Sequence, residues 1–313
     1  MTNRIESFDI LKGIAIILMI VAHTYGPNYI IWNFIYSFHM PLFFIVSGYF
    51  YKPKQLSKLL KNNCVQLLVP YLTMCCVIAF LTQMRQQHNI SGDFESTLNG
   101  LGPGWFLLAM FMARIEFHFI LKYFPHHYLS LSLIISTTIC LSSSYTGIST
   151  ILSFYPSLAS LLFLATGYYI KQYQLKKVLD NKTCIFIPLG FVLWLITSIY
   201  GKVDLSLCFF KLSIIDFAGS LGGTYIFYTV SQHINKYNYF IKTFLSFAGK
   251  YSLIILFYHS IDYCVPVWYI ISSHISQEIL LHVILIIRIM LVVLCVIVTI
   301  NTKWGRCFFN INR

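Results

Sequence analysis

Lys12 and His23 stand eleven residues apart in an unbroken hydrophobic run, ILKGIAIILMIVAHTY (10–25). At about 100° per residue, eleven residues bring a helix back to within about 20° of its starting direction, so one face carries both side chains about 16 Å apart. An ammonium and an imidazole in such a run are expensive in hydrocarbon and mark a site facing a bundle interior or a wet cavity. Lys12 suits an anionic, phosphate-bearing ligand; its ordinary explanation is snorkelling to the interface. Asp9, three residues earlier, shares its face and can pair with it. A neutral His23 can take a proton from a hydroxyl nucleophile, as acyl transfer onto an alcohol requires; the ordinary explanation is a packed histidine satisfied by a carbonyl.

Further candidates follow along the chain. In FIYSFHMPLFFIVSGYFYK, His39 falls near mid-span, Pro41 loosens the helix beside it, and Ser47–Gly48 permit close helix packing. In KPKQLSKLLKNNCVQLLVPYL, Lys58 and Lys61 share a face ahead of Pro70 and Tyr71 and suit either a phosphate site or a plain basic loop. Trp105 in GPGWFLLAMF opens another apolar segment, where an interfacial anchor is the ordinary role. Arg114 and Glu116 in that segment point to different faces, so each needs a partner from another helix. In GKYSLIILFYHSID, His259 and Asp262 stand at i and i+3, close enough for the carboxylate to orient the imidazole. Lys211, Asp216 and Arg288 are candidates for internal ion pairs. No spacing suggests a metal site. The nine cysteines form no C-x-x-C pair and read as small apolar packing residues.

The elements that must position these groups are membrane helices. The chain is 58% hydrophobic and only 10% charged, against about 25% charged in soluble domains. Hydropathy marks about ten spans, near 10–25, 30–51, 64–82, 104–121, 129–144, 151–170, 184–201, 208–232, 247–271 and 279–300. The segments 208–232 and 247–271 leave room for a kink or a broken helix, and Pro41, Pro70, Pro188 and Pro266 lie in or at spans. The expected fold is all-α: a polytopic integral membrane protein forming a single transmembrane domain over 1–313, without repeats or a soluble domain. The longest outer loop, 83–103, is a candidate substrate-facing lid.

A net charge of +12 invites a nucleic-acid reading, but its distribution argues against one. Alternate loops hold fifteen cations, from Arg4 through Lys52, Lys54, Lys58 and Lys61 to Lys303, Arg306 and Arg313, whereas the opposite loops hold Arg85 and Lys202. The positive-inside rule places both termini in the cytoplasm. No small-residue cleavage site follows 10–25, so that segment is expected to be retained.

The Lys12-x10-His23 spacing after Asp9, the FHMPLFFIVSGY block, the basic run into LLVPYL, GPGWFL and GKYSLIILFYHSID occur in the order seen in the membrane-bound acyltransferase 3 family. The chain resembles that family, whose bacterial members include surface-polysaccharide O-acetyltransferases, and SFDILKGIAIILMIVAHT is most similar to its fucose O-acetyltransferase-like subgroup. The resemblance implies a ten-helix domain in the bacterial inner membrane. It would move an acyl group, most simply acetyl from acetyl-CoA, from the cytoplasm to a hydroxyl of a cell-surface glycan or its lipid-linked precursor. The family's essential Arg/Lys-x10-His motif maps onto Lys12 and His23; its R-x-x-R-type element finds only Lys58-x-x-Lys61, which lacks a bidentate fork.

On that reading, coenzyme A phosphates dock near Lys12, Lys58 and Lys61, and the thioester lies near His23, His39 or His259. His23, aided by a second histidine or by Asp262, activates the acceptor, with Ser47, Tyr71 or Trp105 as candidate oxyanion donors. Direct transfer and an acyl-histidine intermediate both remain open. A transporter or flippase of lipid-linked glycans is the rival from another class, and a non-catalytic sensor or assembly subunit a third.

Overall fold

The computed structural model describes residues 5–87, 104–146, 153–173, 175, 183–237, 239–264 and 277–311. The candidate lid over most of 83–103, the far end of the 247–271 segment with Pro266, and Lys176, Lys177 and Lys182 lie outside the described residues.

The described chain is helical apart from one two-residue hairpin. Helix α1 runs Glu6–Tyr25 and ends at Gly26, whose φ of 81° lets its N–H return to the Ala22 carbonyl at 2.8 Å. The segment expected as one span over 30–51 is two pieces, α2 (Ile30–Tyr36) and α3 (His39–Tyr49). The break has a covalent cause: Pro41 has no N–H to offer the Ser37 carbonyl, and its ring crowds that group. The helix restarts with Pro41 in its first turn, where a missing donor costs little.

A second proline shapes the next element. Helix α4 (Leu56–Asn63) passes through a π-helical turn, Cys64–Leu68, into α5 (Val69–Gln87), with Pro70 at the exit of the turn. Within the basic run Lys52 and Lys54 precede the helix, while Lys58 and Lys61 sit exposed on α4. There follow α6 (Trp105–Tyr123), α7 (Tyr128–Thr146), α8 (Phe154–Gln172) and α9 (Thr183–Tyr200). The hairpin of β1 (Val203–Asp204) and β2 (Phe209–Phe210) leads to α10 (Ile214–Tyr237), so the segment expected to begin at 208 starts as a strand. Helices α11 (Tyr239–Lys250) and α12 (Ser252–Cys264) meet at Tyr251 with a 72° bend, which places the break anticipated in 247–271. Helices α13 (Gln277–Asn301) and α14 (Lys303–Phe308) close the described chain.

Among the described residues four helical runs are long and apolar enough to cross a bilayer, namely α1, α2 with α3, α4 with α5, and α13, and five if the bent pair α11–α12 counts as one. This is a multi-pass membrane architecture. α6 carries Arg114, Glu116 and Lys122 and so is too charged to count by composition, although hydropathy alone marks it as a span.

Helices α1 and α3 form the centre. Small residues let the backbones touch: a Cβ on Gly13 would strike the Leu245 carbonyl and one on Gly249 the Asp9 carbonyl, fixing α1 against α11. Gly48 and Gly167 do the same for α3 against α8. On α13 the two faces separate cleanly. Ile284, Arg288, Val292 and Val296 are buried at four-residue spacing, while Ile286, Met290, Leu294 and Val298 are exposed. Such an apolar outer stripe suits hydrocarbon.

Candidate active site

Three histidines from three helices converge at one end of α1. His23 Nδ1 lies 2.9 Å from His259 Nε2 on α12, and the rings stack 5.1 Å apart at 21°. The other nitrogen, His23 Nε2, lies 2.8 Å from the Tyr36 hydroxyl on α2. The Tyr36 ring in turn stands 4.8 Å from His39, the first residue of α3. His39 Nδ1 donates to the Ile35 carbonyl at 2.9 Å, so Nε2 is the lone-pair nitrogen of its neutral ring. His39 and His259 are fully buried, whereas His23 and Tyr36 are part-buried. Tyr36 and His39 flank the break between α2 and α3 and meet each other across it.

Aromatic rings wall the open side of this cluster. Trp32 stacks on Tyr36 at 3.7 Å and 18°, and Tyr263, 41% exposed, lies 4.9 Å from the His23 ring.

The expected Asp262–His259 contact is replaced by another. Asp262 Oδ2 forms an ion pair with Arg288 Nε of α13 at 2.7 Å, and Arg288 Nη1 donates to Thr24 Oγ1 at 3.1 Å. A permanently charged guanidinium attracts a buried carboxylate more strongly than a neutral imidazole does. His259 Nδ1 is buried with no hydrogen-bond partner among the described residues. Asp216 and Lys211 also depart from the expected ion pairing: Asp216 accepts from the Leu212 backbone N–H at 2.8 Å, and Lys211 is exposed.

At the other end of α1, Lys12 pairs with Asp9 at 2.9 Å, with 24% of the lysine side chain exposed. Its ammonium edges a cavity of about 500 Å³ that also takes in Lys250, Arg114, Gln66, Ser47 and Asn310. Arg114 donates through Nε to Ser47 Oγ at 2.9 Å and through Nη1 to Asn63 Oδ1 at 3.3 Å. Those are the other-helix partners it needed, and Glu116 finds its own in Ser157 Oγ at 2.7 Å. Among the described residues no carboxylate forms an ion pair with Arg114, so three cations, of which Lys12 is paired with Asp9, line this cavity with no acid among its lining residues. The opposite wall is apolar, with Met19, Met40, Phe43, Phe106 and Met110. A pocket with cations at one end and an apolar sleeve at the other suits a ligand with an anionic head and a slender tail.

The remaining candidates sit as follows. Lys58 and Lys61 are exposed on α4 and do not line the cavity. Tyr71 is buried in the core, Trp105 is half-buried against it, and Ser47 lines the cavity about 12 Å along α3 from His39. Met19 and Met40 close the cavity's inner end, and His23 lies four residues, about one turn, beyond Met19. α1 thus carries a residue of each site, Lys12 at the cavity and His23 in the histidine cluster.

Tyr36, Lys250 and a cavity role for Arg114 were missed in the sequence. Tyr36 stands three residues before His39, a spacing that signals a shared face, but the intervening break hides it.

This geometry defines a multi-pass helical membrane protein in which a cation-rimmed cavity adjoins a buried imidazole cluster. The chain belongs to the acyltransferase 3 family, whose profile, described as an acyltransferase domain, matches residues 5–300. It is similar to the nodulation protein NolL of Mesorhizobium japonicum, with 32% identity over 132 residues, 36% of this chain and 35% of that one. It is also similar to the NolL of Sinorhizobium fredii, with 34% identity over 128 residues, 34% of each chain. The matched stretch thus spans about a third of the length of these curated relatives. No solved structure matches.

Proposed function

We propose that this protein is an integral membrane O-acyltransferase that carries an acetyl group from cytoplasmic acetyl-CoA to a hydroxyl of a cell-surface glycan or its lipid-linked precursor. The observation that carries this reading is that one helix, α1, carries both Lys12, at the edge of the cationic cavity, and His23, in the histidine cluster about one turn beyond the cavity residue Met19. The basic loops orient the Lys12 end toward the cytoplasm of a bacterial inner membrane and the His23 end outward.

Lys12, Arg114 and Lys250 hold the coenzyme A phosphates, with the Arg114 guanidinium supplying the directional contact that Lys58 and Lys61 lack. The pantetheine arm lies along the Met19–Met40 wall and presents its thioester one turn below His23. His23 acts as the general base toward the acceptor hydroxyl. In the tautomer in which His23 Nδ1–H donates to His259 Nε2, the Nε2 lone pair of His23 is the basic site. As the hydroxyl oxygen bonds to the acyl carbon and the C–S bond breaks, the proton held at His23 passes to the departing thiolate.

The test is purified protein in lipid supplied with radiolabelled acetyl-CoA and an isolated surface glycan. Label on the glycan and stoichiometric free thiol support the proposal, provided that His23→Ala abolishes both while the protein stays folded. Glycan movement across the bilayer without label transfer would assign the protein to transport instead.

A further inference from the structure

We propose that Tyr36 is a catalytic residue of the transfer: its hydroxyl accepts the proton of the acceptor alcohol while handing its own to His23 Nε2. The inference rests on the acyltransferase reading above and adds to it a group that stands between base and substrate.

A neutral imidazole has one N–H and one lone pair, and in His23 both nitrogens are engaged. Nδ1 meets His259 Nε2 at 2.9 Å, and His259 is fully buried, so no acceptor sugar reaches the base from that side. Nε2 meets the Tyr36 hydroxyl at 2.8 Å, a full-strength hydrogen bond. In the base-competent tautomer His23 Nδ1–H donates to His259, and Tyr36 O–H donates to the His23 Nε2 lone pair. The position from which an alcohol would deliver its proton to His23 is therefore occupied by a phenol already hydrogen-bonded to it.

The phenol is also held in place. Trp32 stacks on its ring at 3.7 Å, His39 packs at 4.8 Å, and Tyr36 is the last residue of its helix, ahead of the Pro41 break. With Trp32 stacked on one face and the His39 ring tilted against it, the phenol keeps its hydroxyl aimed at Nε2. Being part-buried, Tyr36 also keeps an approach from the open, aromatic-walled side, where Tyr263 is 41% exposed.

The step balances without any further reagent. The acceptor O–H and the thioester C–S bonds break, and the ester C–O and thiol S–H bonds form. The alcohol proton moves to the Tyr36 oxygen as the Tyr36 proton moves to His23 Nε2. The tyrosine stays neutral, and the imidazolium is stabilised by Nδ1–H donation to His259. The thiolate then takes the proton from His23.

The alternative, in which the acceptor displaces Tyr36 and bonds His23 directly, makes the opposite prediction for Tyr36→Phe. Removing a competitor would leave turnover unchanged or raise it. The relay predicts a fall in kcat of about a hundredfold with little change in KM for acetyl-CoA. It also predicts that the wild type shows a curved dependence of rate on deuterium fraction, from two protons in flight, which becomes linear in the variant. Incorporation of 3-fluorotyrosine at position 36, which preserves shape and lowers the phenol's proton affinity, is expected to change kcat while leaving thermal stability unchanged; it serves as the test if Tyr36→Phe fails to fold. Equal kcat in wild type, Tyr36→Phe and the fluorotyrosine form would overturn the relay and leave the acyltransferase reading standing. Absence of label transfer by the wild type would overturn both.

Discussion

Asp262 and Arg288 form the ion pair that locks α12 to α13: Nε of the guanidinium lies 2.7 Å from the carboxylate, with side chains 8% and 18% exposed. Because Arg288 also donates to Thr24, the residue after His23, this pair ties the imidazole-bearing ends of α1 and α12 to a third helix. Removing either partner strands a charge away from water. Asp262→Ala is expected to destabilise the protein by about 3–5 kcal/mol, and Asp262→Ala with Arg288→Met to recover part of that loss. A double-mutant cycle on thermal unfolding in detergent checks this; additive effects would show that the two charges are not coupled.

Arg114 is expected to govern donor affinity. Loss of a charge-assisted hydrogen bond is worth about 1.5–3 kcal/mol, so Arg114→Ala raises KM for acetyl-CoA by about tenfold to a hundredfold. Arg114→Lys recovers only part, because an ammonium cannot reproduce two directed N–H contacts. Steady-state kinetics with acetyl-CoA varied at saturating acceptor measures it, and an unchanged KM in Arg114→Ala would remove Arg114 from the donor site.

Lys58 and Lys61 present the contrasting case. Both are exposed and lie outside the cavity lining. Exposed charges contribute weakly to a distant site through screened electrostatics. The double variant Lys58→Ala, Lys61→Ala is expected to shift KM for acetyl-CoA by less than about twofold at physiological salt. A tenfold rise would restore the phosphate role expected from the sequence.

Gly249 tests the crossing that seats α1. Its Cβ position coincides with the Asp9 carbonyl, so backbone rather than a flexible side chain must give way. Gly249→Leu is expected to force the helices apart at a cost of at least about 1–3 kcal/mol and to disturb the adjoining Asp9–Lys12 pair. Protease sensitivity near Tyr251 and donor KM together read out both effects.

Much of this site was legible in the chain, and the rest was hidden for identifiable reasons. The eleven-residue spacing placed Lys12 and His23 on one face because a helix has fixed rise and turn, and Asp9 pairs with Lys12 at the expected i, i+3 distance. His259 was legible as an intramembrane histidine, but its partner was not. Spacing along one helix suggested Asp262, whereas the choice was made across helices by Arg288. The same limit hid Lys250, which reaches the cavity only because the chain turns through 72° at Tyr251. Hydropathy merged α2 with α3, since a break at Pro41 does not lower the apolar average. That merger concealed Tyr36.

The bend at Tyr251 has a further consequence. α1 carries Lys12 and His23; the bent pair α11–α12 carries Lys250 and His259. The site is thus spanned by two rails, each with an ammonium at one end and an imidazole at the other, nailed together where Gly13 and Gly249 cross. Chain length within each rail is consequently locked. One residue inserted between Lys12 and His23 would swing the imidazole about 100° away from His259 while leaving hydropathy untouched. The register of these rails, more than the identity of the lipid-facing residues around them, is what such a molecule has least freedom to alter.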